Sequence, residues 1–312
     1  MRSLHLIPDD INLQFISKKI LFFVFSGLLI VASIGLYSFK DLNYGIDFKG
    51  GIMIDLKTKG PADIAAMRRN LSSLGLGDVS LQEFGAPDDV LIRLQRQKGG
   101  EKAQAQALER VKTALGANVE YRRTEFVGPK VSGELLLDGV YAVLSAIFAI
   151  LLYIWFRFEW QFGLGAVIAL IHDVISTIGL FAFLGMEFNL STVAAVLTIA
   201  GYSINDTVVV YDRVRENLRR YKTMPLPELL NRSINETLSR TVITSLTTLL
   251  ALLALYFLGG EVIRGFSFAM IWGVVIGTYS SVCLAVPLLL YLNIRRRSGN
   301  VAGGGEAADT PV

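Results

Sequence analysis

"GYSINDTVVVYDRVREN", residues 201 to 217, starts as an apolar helix and ends in a run of charges, and it carries Asp206 where the stretch is still apolar. Whether that aspartate meets water or hydrocarbon decides the fold, and composition answers it. Hydrophobic residues make up 52% of the 312 residues and charged residues 18%. The apolar residues gather in blocks of about 20 or more, too long for strands or ordinary core helices and long enough to cross a hydrocarbon layer of ~30 Å. These blocks are 20 to 39, 135 to 156, 162 to 184, 190 to 211, 234 to 258 and 266 to 292. The expected fold is an α-helical polytopic membrane protein with six transmembrane helices, with Asp206 inside the fourth. The first block follows Lys18 and Lys19 as in a signal peptide, but it has full bilayer length and no clear small-x-small cleavage site, so an uncleaved span is expected.

Orientation follows from lysine and arginine, which collect in cytoplasmic loops. Arg2, Lys18 and Lys19, then Arg157, then Arg213, Arg215, Arg219, Arg220, Lys222 and Arg232, then Arg295, Arg296 and Arg297 all fall on one side of the six-span layout, while Arg264 stands alone in the short opposite loops. Both termini are therefore expected in the cytoplasm, with a cytoplasmic loop at 212–233. The net charge of +3 says little, and the single Cys283 has no partner for a disulfide. The glycine-rich tail, 298–312, cannot bury enough apolar area to fold and is expected to be disordered.

After the first region, 1–39, a polar insert at 40–128 is placed outside the membrane, ahead of the five-helix region 129–297. Ile52, Ile54 and Leu56 alternate at strand period, and "PADIAAMRRNLSSLGL" has helical spacing. "DVSLQEF" and "DVLIRLQ" then read as strands, "GEKAQAQALERVKTALG" as a helix stopped by Gly116, and "NVEYRRTEFV" as a last strand. The order β-α-β-β-α-β predicts an α+β, ferredoxin-like extracytoplasmic domain between helices 1 and 2.

An ionisable side chain in hydrocarbon costs at least ~2.5 kcal/mol, so it normally faces the bundle interior and a partner. Counted from Tyr211 and from Ile234, Asp206 and Arg240 lie roughly 8 Å and about 9 Å from the same side. Thr198, Tyr202 and Asp206 share one face of the fourth span, and Glu236, Arg240, Thr244, Thr247 and Thr248 form a stripe on the fifth, so the two stripes can meet. Two readings stay open. Asp206 and Arg240 either form a static salt bridge that fixes packing, or form a switchable pair in which the carboxylate takes up and releases a proton while the arginine keeps its charge. Each proton moved across the membrane is worth about 2.3 kcal/mol per 100 mV. His172 and Asp173, about 16 Å into the third span, raise the same pair of alternatives, a relay or a packed polar group. Gly273 and Gly277 form a GxxxG read as a close helix contact. "RVRENLRRYK" reads as a basic amphipathic helix near anionic membrane lipid. No HExxH, P-loop or nucleotide fingerprint appears, so no cofactor, metal, ATP or nucleic-acid chemistry is expected.

"YGIDFKGG" at 44 to 51, "GYSINDTVVVYDRVREN" at 201 to 217 and "SRTVITSLTTLLALLALYFLGGEVIRGFSFAM" at 239 to 270, together with the six-span layout, resemble the SecD/SecF family of bacterial protein-export translocase subunits, on its SecF side. The resemblance covers nearly the whole chain. It implies half of a twelve-span pseudo-symmetric unit completed by SecD, a relation to the proton-driven RND superfamily, and work beside the SecYEG channel on unfolded secretory polypeptides. By that resemblance Asp206 and Arg240 form the proton relay, with protons as coupling ion. Asp173, His172, Tyr202, Asn205 and Thr244 would form a supporting polar network, and Gly45, Asp47, Gly50 and Gly51 the hinge motif. The expected function is proton-driven, late-stage export without enzymatic chemistry. The alternatives are a scaffold that stabilises the translocase, an intramembrane aspartyl protease using Asp173 and Asp206, and a small-molecule exporter.

Overall fold

The structure is a computed structural model that describes residues 12–77, 79–292 and 294. The amino-terminal residues before these and the tail expected to be disordered lie outside the described residues. Within the described residues, six helices are long and apolar enough to cross a membrane. They are α1 (Lys19–Lys40), α5 (Pro129–Arg157), α6 (Trp160–Leu184), α7 (Leu190–Arg220), α8 (Leu226–Leu258) and α9 (Glu261–Ser280). The last of these continues as a π-helical stretch, Ser281–Ala285, and one more turn, Val286–Leu288.

Between α1 and α5 lie β1 (Asn43–Tyr44), α2 (Ile46–Lys49), β2 (Gly51–Thr58), α3 (Ile64–Ser72), β3 (Val79–Phe84), β4 (Ala86–Leu94), α4 (Gly100–Leu115) and β5 (Val119–Val127). β2 to β5 form one antiparallel sheet in the order β3-β4-β2-β5, the ferredoxin-like arrangement. Strand alternation explains its core, since Ile52, Ile54 and Leu56 of β2 and Val90, Ile92 and Leu94 of β4 are buried together with Leu71 of α3 and Val111 of α4. Asp63 starts α3 by accepting the Ala66 N–H at 2.8 Å.

The start of the expected insert does not join that sheet. β1 pairs in parallel with β6 (Glu187–Phe188), which precedes α7. Aromatic burial is the physical reason: Tyr44 and Phe48 pack their rings on Phe188 with centroids 6.3 and 6.0 Å apart, and Phe181 of α6 meets Phe188 at 6.2 Å. The four-stranded unit thus begins at Gly51, and residues 43–49 belong with the membrane helices.

The segment 212–233 is mostly helix, as expected for residues 213–222. α7 runs on to Arg220 and α8 begins at Leu226, because Val214 and Asn217 continue the buried face of Tyr211. The two extensions are tied together where the Asn217 amide donates to Ser233 at 3.0 Å and to Glu236 at 2.7 Å, and Glu236 also pairs with Arg213 at 3.0 Å and Arg232 at 2.8 Å. Their polar sequence reflects a helical hairpin that bonds to itself.

The close contact expected at Gly273 and Gly277 is present and joins α9 to α7. A methyl group at Gly273 would collide with Ile199, and one at Gly277 would come within 3.1 Å of the Ser203 side chain. Small residues there let the two backbones approach, which brings Ser203 opposite Ser280 and Ser281.

Candidate functional site

Asp173 on α6 is fully buried. A carboxylate in such a place needs donors to replace water, and three side chains supply them. Its Oδ1 lies 2.9 Å from His172 Nδ1, and its Oδ2 accepts from the hydroxyls of Ser203 on α7 at 2.6 Å and Ser280 on α9 at 2.7 Å. The adjacent turn extends the network, with Thr207 and Ser281 hydroxyls 2.7 Å apart and Ser281 donating to the Ser203 carbonyl at 3.2 Å. The His172 ring lies 6.2 Å from that of Tyr279, whose hydroxyl meets Ser26 at 3.0 Å and donates to the Phe22 carbonyl at 2.9 Å. The hydrogen bonds that join α6, α7 and α9 therefore converge on Asp173, and a ring contact through Tyr279 reaches toward α1.

Asp206, one turn beyond Ser203 on α7, is also buried, at 3% exposure, yet its Oδ2 has no hydrogen-bond partner among the described residues. It faces the Thr278 hydroxyl of α9, which meets Ser245 of α8 at 2.7 Å. Thr241, one turn before Ser245, is buried with its hydroxyl unpartnered among the described residues. Arg240 is exposed, and no ion pair joins it to Asp206 among the described residues. The two residues are not locked together.

The remaining expected members of the polar network stand apart from it. Asn205 is exposed, Tyr202 is half-buried with an unpartnered hydroxyl among the described residues, and Thr244 bonds back to the carbonyls of Arg240 and Thr241 on its own helix. His172 joins through Nδ1, while its buried Nε2 has no partner among the described residues. Ser203, Thr207, Ser280, Ser281 and Tyr279 are not legible in the sequence. Single hydroxyls in apolar helices carry no periodic signal, and here they gain meaning only by facing Asp173 from other helices. The π-helical stretch beside Ser280 was equally unreadable, although such stretches gather at functional sites. No group of residues able to hold a metal ion is found among the described residues.

The glycine motif connects this membrane site to the α+β domain. Gly50 and Gly51 have φ of +70° and +137°, a region that side chains rarely adopt, and a Cβ at Gly51 would stand 2.5 Å from the Leu94 carbonyl oxygen. Gly45 donates its N–H to the Phe188 carbonyl at 2.9 Å, and the Asp47 carboxylate accepts the N–H of Leu190, the first residue of α7, at 2.9 Å. Arg93 of β4 pairs with Glu187 of β6, and burial pushes the Arg93 guanidinium below its ordinary pKa. The motif and this ion pair fasten the domain to the end of α7.

Comparisons with known proteins agree with this architecture. The family model described as protein export membrane protein SecD/SecF, C-terminal, matches residues 107–295, and the SecD/SecF GG motif matches residues 39–62. A protein translocase subunit SecF from Rhodobacter capsulatus is 49% identical over 308 residues, covering 94% of this chain and 92% of the relative. The subunit of that name from Rickettsia akari is 46% identical, covering 96% and 97%. The crystal structure of SecDF, a translocon-associated membrane protein from Thermus thermophilus, superimposes with a TM-score of 0.83 at 38% identity, covering 91% of this chain, which spans 39% of that longer one. On a match to more than half its length, and on relatives that align almost end to end, the chain belongs to the SecD/SecF family of protein-export membrane proteins.

Proposed function

We propose that this chain is a subunit of a bacterial inner-membrane protein translocase that, together with SecD and beside SecYEG, uses the proton gradient to promote late-stage export of unfolded polypeptides. Protons are the coupling ion, both termini are cytoplasmic, and the chain performs no hydrolytic or redox chemistry. The observation that supports this reading is the unlocked state of Asp206 and Arg240. Asp206 is buried with one oxygen unpartnered among the described residues, and Arg240 makes no ion pair with it. A static lock would have the pair closed. Protonation of Asp206 weakens its attraction to Arg240, α7 and α8 shift, and α7 carries the movement to Asp47 and Glu187, where the α+β domain is attached. Gly45, Asp47, Gly50 and Gly51 form the hinge of that attachment. The test is translocation of a preprotein into inverted vesicles after its ATP-driven insertion. Asp206→Asn should abolish the acceleration by a proton gradient, and an undiminished acceleration removes the proposal.

A second reading is favoured by a different observation. The satisfied bonds of Asp173 to His172, Ser203 and Ser280 are those of a helix lock, as expected of a scaffold that stabilises the translocase without proton chemistry. It requires Asp206→Asn to lower the yield of intact complex in a pull-down; an intact but inactive complex counts against it. The protease reading has no geometric support among the described residues, since Asp173 Oδ2 is engaged by Ser203 and Ser280 and Oδ1 by His172, not by Asp206.

A further inference from the structure

At the domain-bearing end of the helix bundle a groove of about 370 Å³ is lined by Ile34 of α1, Val140 of α5, Val174 of α6 and Val193 of α7, together with Tyr44 and Phe48 of the glycine segment. We infer that this groove is a phospholipid site, taking an acyl chain from the adjacent leaflet with the lipid phosphate at Lys49.

Depth is the first reason. Ile34 stands six residues before the end of α1 and Val193 three residues into α7, or roughly 9 Å and 5 Å along the helices from that end. The groove therefore opens at hydrocarbon level, and Ile34 and Val140 at its mouth are 51% and 49% exposed. The second reason is what can fill it. An apolar space left empty forfeits dispersion contacts along its walls, and water entering it would find few of the polar partners that hold a buried water. At this depth the surrounding medium is hydrocarbon, which fills the space at no such cost. The third reason is charge. Exposed Lys49 sits 5.8 Å from the centre of the Tyr44 ring, and Tyr44 itself lines the groove. An ammonium beside an aromatic ring at the membrane surface suits a phosphate headgroup.

A lipid held there packs on Tyr44 and Phe48, in the segment that joins the α+β domain to the helices. It braces that attachment from the membrane side.

The experiment uses the full chain in nanodiscs containing phosphatidylglycerol or phosphatidylcholine that carries a photoreactive group midway along one acyl chain. Mapped crosslinks are combined with native mass spectrometry of retained lipid. Val193 is only 9% exposed, whereas Leu137 on α5 is 57% exposed and does not line the groove. Labelling of Val193 and retention of a phospholipid are expected. Val140→Trp should abolish both, and Leu137→Trp should leave both intact. Lys49→Gln should reduce retention of phosphatidylglycerol more than of phosphatidylcholine. If Val140→Trp does not fold, Ile34→Trp fills the groove from the opposite wall. Failure to label Val193, retention unchanged by the filling substitutions, or a photocrosslink from Val140→Cys carrying a thiol-attached benzophenone to a protein segment seated in the groove would each overturn the inference.

Discussion

The Asp47 carboxylate accepts the backbone N–H of Leu190 at 2.9 Å, so the glycine segment holds the first residue of the helix that carries Asp206. An acidic acceptor at a helix start satisfies an orphan donor and complements the positive end of the helix dipole. Asp47→Ala is expected to weaken this junction by about 1 kcal/mol, and Asp47→Asn by less. Hydrogen exchange should show faster opening of residues 190–193 in the alanine variant, with the middle of α7 unchanged. Equal exchange in both variants and the parent would mean that Asn189, which caps the same helix through its bond from the Thr192 N–H, is sufficient.

Arg93 and Glu187 form the other fastening between domain and helices, with side chains only 14% and 20% exposed. Removing one partner of a shielded ion pair leaves the other charge uncompensated, which costs more than losing a surface pair. Arg93→Ala should broaden the distance distribution between spin labels on β5 and on the domain-bearing end of α8. Combining Arg93→Glu with Glu187→Arg should narrow it again. A distribution that stays narrow in Arg93→Ala would show that the domain is held by the glycine segment alone.

Ser203 and Ser280 donate to the same oxygen of Asp173. Each alanine substitution should cost about 1–3 kcal/mol of bundle stability, since a buried carboxylate loses a donor. The double variant should depart from the sum, because the second loss leaves Oδ2 without either hydroxyl. Unfolding in mixed micelles at increasing denaturant fraction checks both statements. Losses near zero for both single variants would remove Asp173 as the centre of helix packing.

Asp55 in β2 has its carboxyl pushed above the ordinary value by burial, opposed by Arg122, with Asp89 raising it further and Arg123 lowering it. Its Oδ1 has no partner among the described residues. A raised folded-state pKa means that the folded chain holds the proton more tightly than the unfolded chain. The contribution of Asp55 is therefore fully present below the unfolded value and is lost as pH rises through the folded one. As pH rises above about 4, the ordinary carboxylate range, the domain should lose stability on this account, and Asp55→Asn should flatten that slope and stabilise the domain at neutral pH. Exchange rates of the β2 amides across that range provide the measurement. An unchanged slope in Asp55→Asn would assign it to another carboxylate.

Much of the architecture follows from local order along the chain. Apolar blocks of bilayer length yield six helices wherever the chain meets hydrocarbon, because backbone groups there must bond within their own segment. The alternation of Ile52, Ile54 and Leu56 and the helical spacing after Pro61 lead to a ferredoxin-like sheet for the same local reason. Asp206, Arg240 and Asp173 stood out in the sequence because charge in an apolar run is conspicuous. Their relations were decided only in three dimensions. Asp173 draws its donors from α7 and α9, which approach closely because Gly273 and Gly277 lack side chains. Nothing near Ser203 or Ser280 in the sequence says that they face a carboxylate instead of their own helix backbone. Residues 43–49 likewise read as part of the polar insert, until Phe188, more than a hundred positions away, offered Tyr44 and Phe48 an aromatic surface to bury against.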